Sequence, residues 1–359
     1  MGGEIRRSAV VVVVIAALCG VTLTGCGRTV APAAQPVAAT RSVPPVPDTA
    51  PPDTEAATMP RAAATAAADH HLEAANNPDW MGALPDGTPL TAMSIPGTHD
   101  TVSIHGGKAG PAVVTQEKFD TGCADAACAS ARTLSTQLEA GIRALDIRVR
   151  RDEAGNLAVQ HGGFYQEIGL DDVLRVTEDF LSRHPRETVL MRVKAECTND
   201  DKAFQCEDAG RQPPDPALLD RILTAHPRMW RPSATGPAAV PHLGEVRGSI
   251  VVIRADGVDD RGLPLDLQDL WDGPSREDKW AAVAAHMDRA GTGARTLSVD
   301  FLSASGVPDP MKFPNRYADY ENQHALDHLR SRPGSATGVL MMDFPGPALV
   351  GEIIGHNPH

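Results

Sequence analysis

Eight short apolar runs alternate with longer, helix-patterned stretches between residues 92 and 343, and nothing else in the chain constrains its fold as strongly. The strand-like runs are 92–95, 143–149, 157–161, 188–195, 249–254, 265–269, 296–302 and 338–343. Helical spacing is clearest over 170–183, where Leu170, Val173, Leu174, Thr177, Phe180 and Leu181 share one face and His184-Pro185 stops the helix. Further helices are predicted over 275–290 and 317–330. Strands that alternate with helices build a helix-covered parallel sheet. Eight such units predict an α/β fold of the (β/α)8 TIM-barrel type, as a single catalytic domain over 79–359.

The chain before that domain reads differently. Arg6 and Arg7 precede an apolar run, Ala9 to Val21, that is short for a membrane span. Leu23-Thr24-Gly25-Cys26 follows and resembles the bacterial lipobox, so 1–26 is read as a lipoprotein signal peptide with Cys26 the lipid-modified residue. Residues 27–78 are rich in Ala, Pro and Thr and hold too little apolar surface to fold, which predicts a disordered, semi-stiff linker. The expected location is the extracytoplasmic face of the cell membrane, lipid-anchored, or a secreted form. Cys123 with Cys128, and Cys197 with Cys206, form two close-spaced pairs in polar insertion loops, 102–133 and 197–214. Such pairs suit small disulfide loops in an oxidising compartment. Neither has the CxxC spacing of a zinc site.

A formal charge of -13 argues against nucleic acid as a partner. An anionic substrate would therefore need positive charge concentrated inside the site. The strand ends supply it. Met93-Ser94-Ile95-Pro96-Gly97-Thr98 breaks at Pro96-Gly97 and delivers His99 and Asp100. Arg148 closes Ala144-Leu145-Asp146-Ile147, and His161 closes Leu157-Ala158-Val159-Gln160. Later runs deliver Lys194 and Glu196, Arg254, Asp269 and Asp343. Two histidines, carboxylates and a guanidinium suit acid–base chemistry on a phosphate ester. Residue by residue the plain readings also stand. Asp146 can be a buried hydrogen-bonding group, Lys194 and Glu196 a rim ion pair, and Arg254 and Asp269 loop charges. The remaining histidines, His226 and His286 among them, are given no chemistry.

Ser94-Ile95-Pro96-Gly97-Thr98-His99-Asp100, Leu145-Asp146-Ile147-Arg148 and Val159-Gln160-His161-Gly162 resemble the signatures of bacterial phosphatidylinositol-specific phospholipase C. His184-Pro185-Arg186-Glu187-Thr188-Val189-Leu190-Met191, with Lys194-Ala195-Glu196, is similar to the next region of that family, and the likeness runs over roughly 90–350. The resemblance implies His99 as general base, with Asp343 orienting it. It implies His161 as general acid, paired with Asp100, and Arg148 as the phosphate-binding arginine. Lys194, Arg254 and Asp269 fall where the family holds inositol hydroxyls. Trp271 falls where the family stacks a tyrosine on the inositol ring, a departure that bears on head-group specificity.

The activity so implied is a lyase reaction on a membrane phosphoinositide, giving diacylglycerol and inositol 1,2-cyclic phosphate. No cofactor and no metal are expected, because Arg148 stands where metal-dependent members of the fold carry a carboxylate. A monomer is expected. Two other readings remain: a glycerophosphodiester phosphodiesterase-type hydrolase, which would need metal-binding carboxylates after its first histidine, and a non-catalytic inositol-lipid-binding lipoprotein.

Overall fold

In the computed structural model of the chain, the described residues are 72–103, 126–162, 164–196, 214–232, 238–291, 294–306 and 309–358. The signal peptide, Cys26, Cys123, Cys197 and Cys206 lie outside them. Every predicted strand is present: β1 (Ser94–Thr98), β2 (Ala144–Arg151), β3 (Leu157–His161), β5 (Val189–Ala195), β6 (Ile250–Asp256), β7 (Leu265–Gln268), β8 (Leu297–Phe301) and β9 (Gly338–Met342). One further strand, β4 (Phe164–Gly169), joins them. The predicted helices are α2 (Leu170–Arg183), α5 (Arg276–Met287) and α6 (Pro314–Ser331). The structure adds α1 (Ala126–Ala140), α3 (Pro216–Ala225), α4 (Leu243–Val246) and α7 (Pro347–Gly355).

Parallel strands run in the order β6-β5-β2-β1-β9-β8-β7. The first and last barrel strands, β1 and β9, are neighbours, as barrel topology requires. Among the described residues β6 and β7 do not pair. The chain after β6 instead folds back on its edge, where Leu263 N donates to Ile253 O. That contact covers an edge that would otherwise invite pairing.

Two expectations need correction. The run 157–161 is a strand but not a barrel strand: β3 pairs antiparallel with β2 and with β4, so it stands on the barrel as a hairpin. The barrel-type sheet thus holds seven parallel strands. The linker boundary also moves, because Leu72 is buried and Asn77 Nδ2 donates to Ala140 O. Helix α1 begins inside the expected loop 102–133 and carries Cys128 in its first turn.

Strand alternation sorts the core into two parts. Met93, Ile95, Ala144, Leu190, Val299, Phe301, Val339 and Met341 pack together inside the barrel. Leu145, Ile147, Met191, Val193 and Leu340 pack outward against the helices. Gly97 belongs to the inner row and tolerates no side chain. A Cβ there would lie 2.8 Å from Ala144 Cβ and 2.8 Å from Met341 Sδ.

Candidate active site

The same alternation aims the polar residues. Asp146 and Arg148 follow Ala144 on the inner row of β2, and Arg192 and Lys194 follow Leu190 on β5. Arg148 is therefore not at a strand end, as the sequence suggested, but in the middle of β2, whose last residues extend past the rim to hold β3. Arg254 reaches the inner row through an irregularity. The β5–β6 register shifts between Met191/Val252 and Arg192/Arg254, and this bulge sets Arg254 opposite Arg192.

His99 and Asp343 come together through register. Thr98 pairs with Met342, so the next residue on each strand lies beside the other. His99 Nδ1 is 2.8 Å from Asp343 Oδ1, and Arg148 Nη2 is 2.5 Å from His99 Nε2. A guanidinium can only donate, so Nε2 accepts. The ring proton then sits on Nδ1 and is donated to Asp343, which leaves Nε2 as the basic nitrogen. Burial, then the Arg148 charge, hold the His99 pKa well below the usual histidine value. Phe301 meets the imidazole edge-on at 5.9 Å, and Arg192 lies over the Phe301 ring at 4.9 Å.

Asp100 is the hub of the site. It is buried and sits in the left-handed region, φ 42°, which aspartate tolerates better than most residues. Its Oδ1 is 2.7 Å from Arg148 Nε, and its Oδ2 is 3.2 Å from His161 Nε2 and 3.5 Å from His99 Nε2. The hydroxyl of Ser103 lies 2.7 Å from His161 Nδ1 and fixes the other side of that ring. Burial raises the Asp100 pKa against the pull of Arg148.

Arg148 also reaches Asp146 Oδ2 at 3.2 Å and Glu196 Oε1 at 3.6 Å. Burial disfavours its charge, but Asp100, Asp146 and Glu196 outweigh that and hold the guanidinium charged. Asp146 bridges outward to Arg192 Nη1 at 3.2 Å, and Arg192 Nε is 2.6 Å from Asp256. Arg254 joins Asp256 through its own Nε. A row of cations therefore crosses β2, β5 and β6, each tied to a carboxylate. Lys194 Nζ, a third exposed, is 3.7 Å from Glu196 Oε2.

His99, Asp100 and Asp146 have ligand atoms within 4.8 Å of one another, close enough to hold a metal. The fit is poor, because Arg148 already engages all three groups and would repel a cation.

On the other side of the mouth, Asp269 follows β7 on its inner row, and burial raises its pKa. Leu270, Trp271 and Met311 are exposed. Their loops are joined, since Ser305 N donates to Trp271 O and Lys312 Nζ to Gly273 O.

The chain that carries these residues resembles known proteins. Residues 93–254 match the family model "Phosphatidylinositol-specific phospholipase C, X domain". A 1-phosphatidylinositol phosphodiesterase of Listeria monocytogenes is 30% identical over 292 residues, covering 77% of this chain and 84% of the relative. The chain belongs to the phosphatidylinositol-specific phospholipase C family.

A second relative in the family, a 1-phosphatidylinositol phosphodiesterase of Staphylococcus aureus, is 24% identical over 78% of this chain and 94% of its own. The solved phosphatidylinositol-specific phospholipase C of Listeria monocytogenes superposes with a TM-score of 0.60 at 27% identity, over 78% of this chain and 98% of that one. A solved Staphylococcus aureus member gives 0.61 at 23% identity, which shows the shared fold.

Within this family site the structure brings His99, Asp100, Arg148, His161 and Asp343 into one cluster. Lys194 joins it through Glu196, Arg254 through Asp256 and Arg192, and Asp269 acts on the Arg148 charge, whereas Trp271 is exposed in the loop after β7. Sequence reasoning missed Ser103 and Arg192. Period-two counting along Leu190-Met191-Arg192 puts Arg192 on the inner row and could have found it. Ser103 carried no signal, because its contact with His161 spans the β1 loop and a separate hairpin.

Proposed function

We propose that the chain cleaves phosphatidylinositol, or a glycosylated form of it, by internal attack. His99 Nε2 takes the proton of the inositol 2-hydroxyl. That oxygen forms the new bond to phosphorus while the bond to the glycerol oxygen breaks. The His161–Asp100 unit returns a proton to the leaving oxygen, so diacylglycerol and inositol 1,2-cyclic phosphate form. Arg148 carries the charge that grows on the phosphoryl oxygens. The observation that bears most weight is that one carboxylate, Asp100, lies within reach of both imidazoles and the guanidinium. Lys194, Arg254 and Asp269 are read as binders of the inositol hydroxyls and Trp271 as the stacking ring.

The deciding experiment is product analysis with phosphatidylinositol vesicles in excess chelator. Cyclic phosphate appearing without metal supports the reading. Its absence, with activity regained on adding calcium, would favour metal-dependent hydrolysis at His99, Asp100 and Asp146.

We further read the protein as a monomer anchored through a lipid on Cys26. Cys26→Ser should then leave the membrane fraction, and unchanged fractionation would sink the anchor. Cys123–Cys128 and Cys197–Cys206 are proposed as disulfides, to be checked by peptide mapping without reduction.

A further inference from the structure

Behind the His99–Asp343 pair lies a group of charges that the reaction above does not use. Lys279 on α5 and Glu321 on α6 are both fully buried. Lys279 Nζ, both Glu321 carboxylate oxygens and Asp343 Oδ2 have no hydrogen-bond partner among the described residues. A buried polar atom without a partner is costly, and a buried charge more so. Such a cluster persists where the surrounding field offsets the cost.

Two contacts fix this cluster against the catalytic turn. His286, two turns along the same face of α5 as Lys279, puts Nδ1 2.8 Å from Asp300 Oδ2 on β8 and Nε2 3.2 Å from Asp266 Oδ1 on β7. Asn322, next to Glu321 on α6, donates Nδ2 to Asp343 O at 2.9 Å and to Phe344 O at 3.2 Å. Phe344 has φ 45°, so the backbone just past Asp343 turns sharply under that clamp. Helices α5 and α6 are thus each pinned to the strand ends that carry the site, and they hold Lys279 and Glu321 beside them.

The charges divide clearly. Around Lys279 stand Asp269 beyond β7, Glu321 on α6, Asp300 on β8 and Asp343 beyond β9. Asp343 feels Asp100, Asp146, Arg148 and Lys279, with His99 in contact. Glu321 feels Lys279, Arg276 and Glu277. Burial, then the Asp100 charge, push the Asp343 carboxyl up; Arg148 and Lys279 oppose that rise. Arg148 is committed to Asp100 and Asp146. Lys279 is the cation on the other flank.

We propose that Lys279 is a positioning residue for the general base: its buried ammonium keeps Asp343 ionised, so that Asp343 accepts the hydrogen bond from His99 Nδ1. Burial lowers the Lys279 pKa to about 8 and raises that of Glu321 to about 8. On the acidic side Lys279 is therefore charged and Glu321 neutral.

The proposal rests on the catalytic reading of His99 and Asp343, and the test separates the two. The acidic limb of kcat/KM against pH reports the free enzyme's base. Lys279→Met removes a positive charge near the pair, so the pair should hold its proton more tightly. The acidic limb should then move up by about one pH unit, a roughly tenfold loss at low pH with little loss on the alkaline side. Glu321, neutral below about 8, carries no charge on the acidic limb, so Glu321→Gln should leave that limb in place. A general packing defect would lower the rate evenly across pH. The titration of the low-field His99 Nδ1–H resonance should move up in Lys279→Met in the same way.

If wild-type protein forms no cyclic phosphate, the catalytic reading fails, and the resonance alone then decides the role of Lys279. An unmoved limb and an unmoved resonance in folded Lys279→Met overturn the proposal. If Lys279→Met does not fold, the double variant Lys279→Met/Glu321→Met, which leaves neither buried group alone in the core, decides: an upward limb supports the role of Lys279, and an unmoved one overturns it.

Discussion

Asp343 Oδ1 lies 2.8 Å from His99 Nδ1 although 244 residues separate the two in sequence. The contact follows from β1 and β9 being parallel neighbours with Thr98 opposite Met342. It also fixes the tautomer, since Arg148 donates to the far nitrogen of the same ring. His99, Asp343 and Arg148 are thus one hydrogen-bonded unit.

His99→Ala and His161→Ala should each lower cleavage of phosphatidylinositol by on the order of a hundredfold or more, with the melting temperature almost unmoved. Both side chains sit at the rim, 15% and 12% exposed, rather than in the core. Initial rates and a thermal melt on the same preparations check this. Near-normal turnover in both variants would remove the two histidines from the mechanism.

Arg148→Lys should cost roughly a hundredfold in kcat, because a lone ammonium cannot place parallel donors on the phosphoryl oxygens. The wild-type rate should be the same in chelator and in added calcium. A rate that collapses in chelator and returns with calcium contradicts the role given to Arg148.

Gly97→Ala should destabilise the fold by about 1–3 kcal/mol and lower activity with it. The added methyl meets Ala144 and Met341 at 2.8 Å, and the backbone is the part that must yield. That backbone leads directly into His99. Denaturant titration measures the loss, and wild-type stability in the variant would mean that β1 has more room than the structure gives it.

His286 should make stability depend on pH. Its hydrogen bond to Asp300, then burial acting against it, leave its folded pKa raised. The contribution is complete below the unfolded histidine value of about 6.5 and is lost as pH rises through the higher folded value. Thermal melts from acid to alkaline pH should show wild type losing more stability across that window than His286→Gln. Parallel curves would contradict it.

Much of the fold was legible because it is written locally. An apolar run with period-two alternation is a strand wherever it lands, and every predicted run is one. The hydrophobic face of 170–183 is α2 to the residue. Pro96-Gly97 was expected to break β1, but the strand runs through both to Thr98, paired with β9 all along, and the turn comes at His99-Asp100. Helix α1 was hidden by its composition: Ala126-Ala127-Cys128-Ala129-Ser130-Ala131 has no strong apolar stripe, and it stabilises itself by packing on α2 and β4.

What the sequence by itself determined, then, is which residues are strand, which are helix, and which ionisable groups lie near the strand ends. Only the tertiary structure decided how those groups meet. Whether a strand lies parallel in the barrel or antiparallel in a hairpin depends on its partner, so Leu157–His161 looked like a barrel strand. A one-residue bulge against β5 turned Arg254 onto the inner row, against its own alternation. Nothing local in the sequence marks Lys279, on α5, as a buried residue. Alternation and capping act within a few residues, whereas register and burial are set by partners hundreds of residues away, so local pattern cannot carry them.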